Sequence, residues 1–183
     1  MIIFMILAGL ELAHYARAHL KVSQMAMTVA DNAGRIMTGI DEANIYEVFA
    51  GADVLASSLD FGPNGRIVLS SLEDNGLAGS QKGQMIRWQR CSGELDIDPA
   101  YGEQGDGELD ATLRNGLGHA GKRIKSAPNT AVMFVEVTYD YQPLVGDGFF
   151  ELGQIRYESA FNVRGRQNQA ISNTQNLTVL DCD

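Results

Sequence analysis

Glu11 closes the segment MIIFMILAGL, ten residues without a charge, and opens the run ELAHYARAHLKVSQM. A carboxylate at the edge of an apolar helix is costly unless it is paired, hydrogen-bonded or able to reach water, so it marks a candidate functional position. Within one helical turn it meets only His14 and Tyr15, neither of them a permanent cation. His14 and His19 stand five apart, on different faces of a helix, where a zinc site would use an i, i+4 pair. With His119 they read as surface or interfacial residues. No Ser-His-Asp order, phosphate-binding loop or paired-acid motif is present, so no enzymatic activity and no small-molecule substrate are expected.

The stretch GELDIDPAYGEQGDGELD, residues 93–110, is the best ligand candidate. Asp96, Asp98, Asp106, Glu108 and Asp110 offer hard oxygen ligands on a flexible backbone, which suits calcium. The order of an EF-hand loop is missing, and the plainer reading is a solvated acidic loop. Trp88, Tyr101, Tyr139, Tyr141 and Tyr157 could build a sugar platform. Strand alternation sends some of them inward, so core packing is the preferred reading.

The 183 residues fit one domain with an appendage, and 14 basic against 23 acidic side chains give a net charge of −9. Nucleic acid is an unsuitable partner for such a surface, because phosphate binding needs the opposite sign. Cys91 and Cys182 are too far apart for a CxxC motif. They are either two quiet thiols or one disulfide, and a disulfide would place the domain outside the cytosol.

These residues need elements to position them. From Ile2 to about Ile36 there is no proline, and Gly9 and Gly34 are the only glycines, so one long helix is predicted. At the usual rise it would be about 50 Å long, more than a domain of this size can cover, so part of it must project. A second helix fits Asp41 to Leu59, with Asp41 as its N-cap, and FGPNG ends it. Strands are predicted over Arg66 to Leu72, Gln84 to Cys91, Ala131 to Tyr141 and Gln154 to Arg164, the first two forming a long-looped hairpin. A weak helix is placed at Leu109 to Ile124 despite three internal glycines, and the tail from Gln167 is polar. Residues 1–38 then form the helix and 39–183 an α+β head, both helices packing on a four-stranded antiparallel sheet.

GLELAHYARAHLKVSQMAMTVADNAGR, residues 9–35, resembles the N-terminal signature of TadE-like proteins, minor pilins or pseudopilins of tight-adherence (Tad) pilus systems. The step Gly9-Leu10-Glu11-Leu12 carries most of the likeness, and VEVTYDYQPL, residues 135–144, resembles that family's strand and proline. The wider pilin class has a basic leader, a glycine before its cleavage point and a further glutamate; none stands before Met1, so a processed or shortened chain is expected.

The resemblance implies a pilin-like fold and a non-enzymatic structural subunit of a bacterial surface filament, held in the inner membrane before assembly. Its partners would be copies of itself or other pilins, joined through Ile3, Phe4, Ile6, Leu7, Leu10 and Glu11, with Glu11 paired to a neighbouring helix. It also implies an oxidising compartment, in which Cys91 and Cys182 would be joined, pinning the tail to the sheet. The alternative is a membrane-anchored extracytoplasmic binding module, an adhesin or sensor.

Overall fold

The computed structural model describes residues 1–145 and 153–182. Helix α1 (Ile2–Arg35) is followed by the short strand β1 (Ile40–Asp41), helix α2 (Glu42–Ala56) and a one-turn helix α3 (Phe61–Asn64). Strands β2 (Gly65–Asp74), β3 (Gln84–Ser92), β4 (Ala131–Asp140) and β5 (Gln154–Asn162) come next, and β6 (Ile171–Ser172) lies in the tail. The four long strands form one antiparallel sheet in the order β3-β2-β4-β5, and β1 pairs in parallel with β6. The molecule is therefore α+β, with the long N-terminal helix and the four-stranded sheet expected from the pattern.

The sheet is covered on both faces. On one, Ala18, Val22, Met25, Ala26, Val29 and Ala33 of α1 meet Met133, Val135, Val137 and Tyr139 of β4 in a core that also takes Ile45, Phe49 and Ala52 of α2. On the other, Leu72, Ile86, Val132 and Phe134 pack with Leu113 and Leu117 from the long segment between β3 and β4. At its far end α1 approaches β5 closely. A side chain at Gly34 would sit 3.2 Å from the Asn162 carbonyl, and the Gly34 carbonyl accepts from the Arg164 N–H at 3.0 Å.

Asp41 caps α2 as expected, accepting from the Ala43 N–H, while the Asn44 side chain accepts from the Asp41 N–H to complete a capping box. The helix ends at Ala56, three residues before the expected boundary, and FGPN forms a turn of helix of its own. Residues 109–124 are turns closed by an isolated bridge between Leu117 and Ile124, not a helix. Gly116 explains this: it has φ +77°, and a Cβ there would lie 1.9 Å from the Ile124 carbonyl oxygen. Glycines of this kind serve close backbone approach and break a helix.

The polar tail is tied down by hydrogen bonds as well as by Ile171 and Leu180, which pack against the core. Asp41 accepts from the Thr174 N–H and the Ser172 hydroxyl, and these bonds, with that from Ala43, lower its carboxyl to about 2. Trp88 Nε1 donates to the Gln169 carbonyl at 3.0 Å, buried Arg166 donates to Gln169 Oε1 at 2.9 Å, and Cys91 N–H donates to the Leu180 carbonyl at 2.8 Å. Cys91 and Cys182 are joined, across 91 residues of sequence. Replacing both by serine should therefore release the tail and cost about 2–5 kcal/mol of stability by the closed-loop argument. Urea denaturation of the two forms at equal pH measures it; equal midpoints would show that the bridge does not hold the tail.

Candidate functional site

Glu11 lies where α1 first meets the head, and only 1% of its surface is exposed. Strand β4 ends at Asp140, and the chain then turns back across α1. Tyr141 donates its hydroxyl to Glu11 Oε1 at 2.6 Å, while the N–H groups of Leu144 and Val145 both donate to Oε2 at 3.0 Å. Both carboxylate oxygens are thus satisfied inside one chain. The expectation that a neighbouring helix must supply Glu11's partner loses its physical basis, since the need for a donor is already met.

Tyr141 has a single hydroxyl proton, and the carboxylate takes it. His14 Nδ1, 2.8 Å from that hydroxyl, must then carry hydrogen and donate to the tyrosine oxygen, so the assignment of the ring follows from the network. Tyr15 stacks edge-on to Tyr141 at 5.0 Å and to His19 at 4.5 Å, and His19 Nδ1 lies 3.2 Å from the Tyr157 hydroxyl. The two histidines therefore serve the contact between α1 and the sheet, while His119 is exposed. Burial is the strongest single influence on Glu11 and would raise its pKa. The bonds from Tyr141, Val145 and Leu144, with the field of His14, together outweigh it and hold the carboxyl below its ordinary range. Burial and the adjacent Glu11 push the Tyr141 phenol upward, which keeps it a donor.

N-terminal to this clamp the large apolar side chains of the helix are exposed and belong to neither hydrophobic core among the described residues. Ile3, Phe4, Ile6, Leu7 and Leu10 are between 38% and 74% exposed. The apolar surface does not stop at Glu11, because Leu12, Leu20 and Met27 are also exposed on the side of α1 turned away from the head. Sequence periodicity did not separate this outer stripe from the inner one, since both are apolar. No helix among the described residues is long and apolar enough to cross a membrane.

Among the described residues no group of three or more acidic, histidine or cysteine side chains could hold a metal ion. Asp96 and Asp98 alternate outward into solvent while Leu95 and Ile97 turn in. Asp106 Oδ2 accepts from the Glu103 N–H and Asp110 Oδ1 from the Thr112 N–H, so these two stabilise turns. Of the five aromatic residues, Trp88, Tyr139 and Tyr141 are buried, and Tyr101 and Tyr157 are half-buried against Phe134 and His19. They form no common platform.

The acidic segment is instead anchored to the back of the sheet at Glu136. This side chain is 2% exposed and accepts from the Ala100 N–H at 3.1 Å and from Arg156 at 3.2 Å. Glu158 stands directly opposite on β5 and accepts from the Tyr101 hydroxyl. Burial dominates at Glu136, and with the Glu158 charge it outweighs the Ala100 bond and the Arg156 guanidinium, raising the carboxyl to about 7.

No protein-family model matches the chain, and neither a curated protein nor a solved structure matches it.

Two stability measurements test these assignments. Tyr141→Phe leaves Glu11 Oε1 without its side-chain donor and should cost about 1–3 kcal/mol, non-additively with Glu11→Gln. Additive losses would mean that the two side chains do not act together. Glu136 has the opposite pH signature to Glu11. Its raised pKa contributes stability fully below the ordinary carboxyl value of 4.5, and that contribution is lost as pH rises through about 7. Glu136→Gln should thus be about 1–3 kcal/mol more stable than the parent at pH 8, with the advantage gone below pH 4.5. Parallel stability curves across that window would exclude a buried, charge-averse Glu136.

Proposed function

We propose that this chain is a non-enzymatic, pilin-like structural subunit of a bacterial surface filament, of the kind found among TadE-like proteins. The observation that carries the reading is the first helix. Its segment from Ile2 to Leu10 is apolar, and every residue of it but the half-buried Ala8 is exposed, whereas from Glu11 onward one face of the same helix is built into the head. A helix apolar all round needs lipid or other helices about it. On this reading the exposed turns lie in the inner membrane before assembly and against copies of this chain or other pilins afterwards. The disulfide suits a head on the oxidising side.

Glu11 has a different part in this assembly from the one its position alone suggests. With both oxygens bonded to the head, it fixes the angle at which the exposed helix leaves the domain, so register is set through the clamp and not by a charge between subunits.

The alternative, a membrane-anchored extracytoplasmic binding module, shares the anchor and differs in needing no polymer. Phe4→Asp separates them. Phe4 is 60% exposed and belongs to neither hydrophobic core among the described residues, so the variant should fold with parental stability. Burying such a side chain between subunits is worth roughly 1.5–3 kcal/mol. The expected result is loss of the variant from sheared surface filaments, measured by immunoblot and mass spectrometry. Filaments containing the variant at parental levels would overturn the proposal.

A further inference from the structure

A polar cavity of about 500 Å³ opens at the end of the head farthest from the apolar helix segment. Its wall is formed where β2 ends, where β4 begins and where the tail crosses the sheet. The location follows from β4, whose start lies beside this cavity and whose end lies beside the Glu11 clamp. Ten residues of strand separate the two by about 30 Å.

The groups that face the cavity are Glu73, Asp74, Arg87, Asn129, Gln167 and Asn168. Glu73 is 9% exposed, and only its Oε1 is engaged, accepting from the Ser71 hydroxyl at 3.2 Å with Arg87 Nε at 3.8 Å. Its Oε2 has no hydrogen-bond partner among the described residues and is not sealed from solvent. Burial raises the Glu73 carboxyl above its ordinary range despite Arg87, Ser71 and Arg166, a further sign that its partners are incomplete. Asp74 and Asn168 each spend one side-chain oxygen on a local turn, while the amides of Asn129 and Gln167 make no hydrogen bond among the described residues. By contrast Asn75 and Gln169, also in the wall, are fully committed to the fold.

Side-chain amides present a donor and an acceptor in one plane, and a carboxylate accepts from two hydroxyls. Two carboxylates disfavour an anion, and among the described residues no group of three metal-ligating side chains stands here, which disfavours a metal. The wall offers one sulfur side chain, Met85, and no open aromatic face, which disfavours an apolar guest or a nucleobase. We infer that this cavity is a binding site for a neutral carbohydrate, of mono- or disaccharide size, at the distal tip of the head. The volume lies within the range of small-molecule sites.

The test uses the full chain in a detergent without a sugar headgroup. Methyl glycosides of glucose, galactose, mannose and N-acetylglucosamine, with their disaccharides, are titrated by saturation-transfer NMR. At least one should bind, independently of calcium, and Gln167→Ala, Asn168→Ala and Glu73→Gln should each weaken it about tenfold. Gln167 lies on the surface and its side chain makes no hydrogen bond among the described residues, so its variant keeps the test free of folding effects. Absence of binding across the panel, binding unchanged in all three variants, or binding abolished by a calcium chelator would overturn the inference. Phe4→Asp should bind like the parent, so that failure of the filament reading and failure of this one remain distinguishable.

Discussion

Burial of β4 on both faces is the constraint from which the rest of the architecture follows. Its residues from Ala131 to Tyr139 are all buried, so the strand cannot face water on either side. One face asks for a layer of helices, which α1 and α2 provide, and the other asks for a second cover, which the long segment before β4 supplies through Leu113 and Leu117. Antiparallel sheets commonly leave one face wet, and the acidic composition of residues 93–110 hides how fully this one is covered. The cost appears where β4 is polar. Glu136 sits inside the cover and stays there only by recruiting Ala100 and Arg156.

The same strand organises both ends of the molecule. Where it ends, Tyr141, Leu144 and Val145 close around Glu11 and set the point at which α1 leaves the head. Where it begins, the tail crosses with Arg166 and Gln169 buried beneath it, leaving a polar cavity around Glu73. An apolar, helix-borne surface and a polar recess are thus held at opposite ends of one rigid element. On the proposed filament reading, that division suits a subunit fixed at one end and meeting its surroundings at the other.

The elements were legible because their signals are local. The unbroken helix pattern of residues 2–36, the Asp41 cap and the β-branched run of β4 each state their conformation within a few residues. What failed was either conformational detail or long-range chemistry. Residues 109–124 carry some helix formers, but Gly116, Gly118 and Gly121 all take positive φ and turn the chain instead. Glu11 could be recognised as needing a partner, yet two of its three donors are backbone N–H groups more than 130 residues away, which no side-chain pattern encodes. The carboxylates of the acidic loop were ligand candidates by oxygen type beside the plainer reading of a solvated loop; in the fold Asp96 and Asp98 face solvent, while Asp106 and Asp110 accept bonds within local turns. The tail's bridge from Cys182 to Cys91 was expected from the resemblance, whereas its hydrogen-bonded anchors, such as Trp88 to the Gln169 carbonyl, are invisible to a hydrophobic pattern.

Helix α1 runs alongside β5, from the Glu11 clamp at one end to the approach of Gly34 and Asn162 at the other. Its exposed end and its buried stripe are parts of one continuous rod. A pull applied to that end along the rod is therefore resisted in shear: the whole stripe from Ala18 to Ala33 must slide together, and the Glu11 bonds must break at the same moment. A pull across the rod would instead peel the contacts one at a time, beginning at the clamp. Resistance to such loads is governed by the rate of unfolding, not by equilibrium stability alone, so this geometry makes the domain strong along one axis and weak across it.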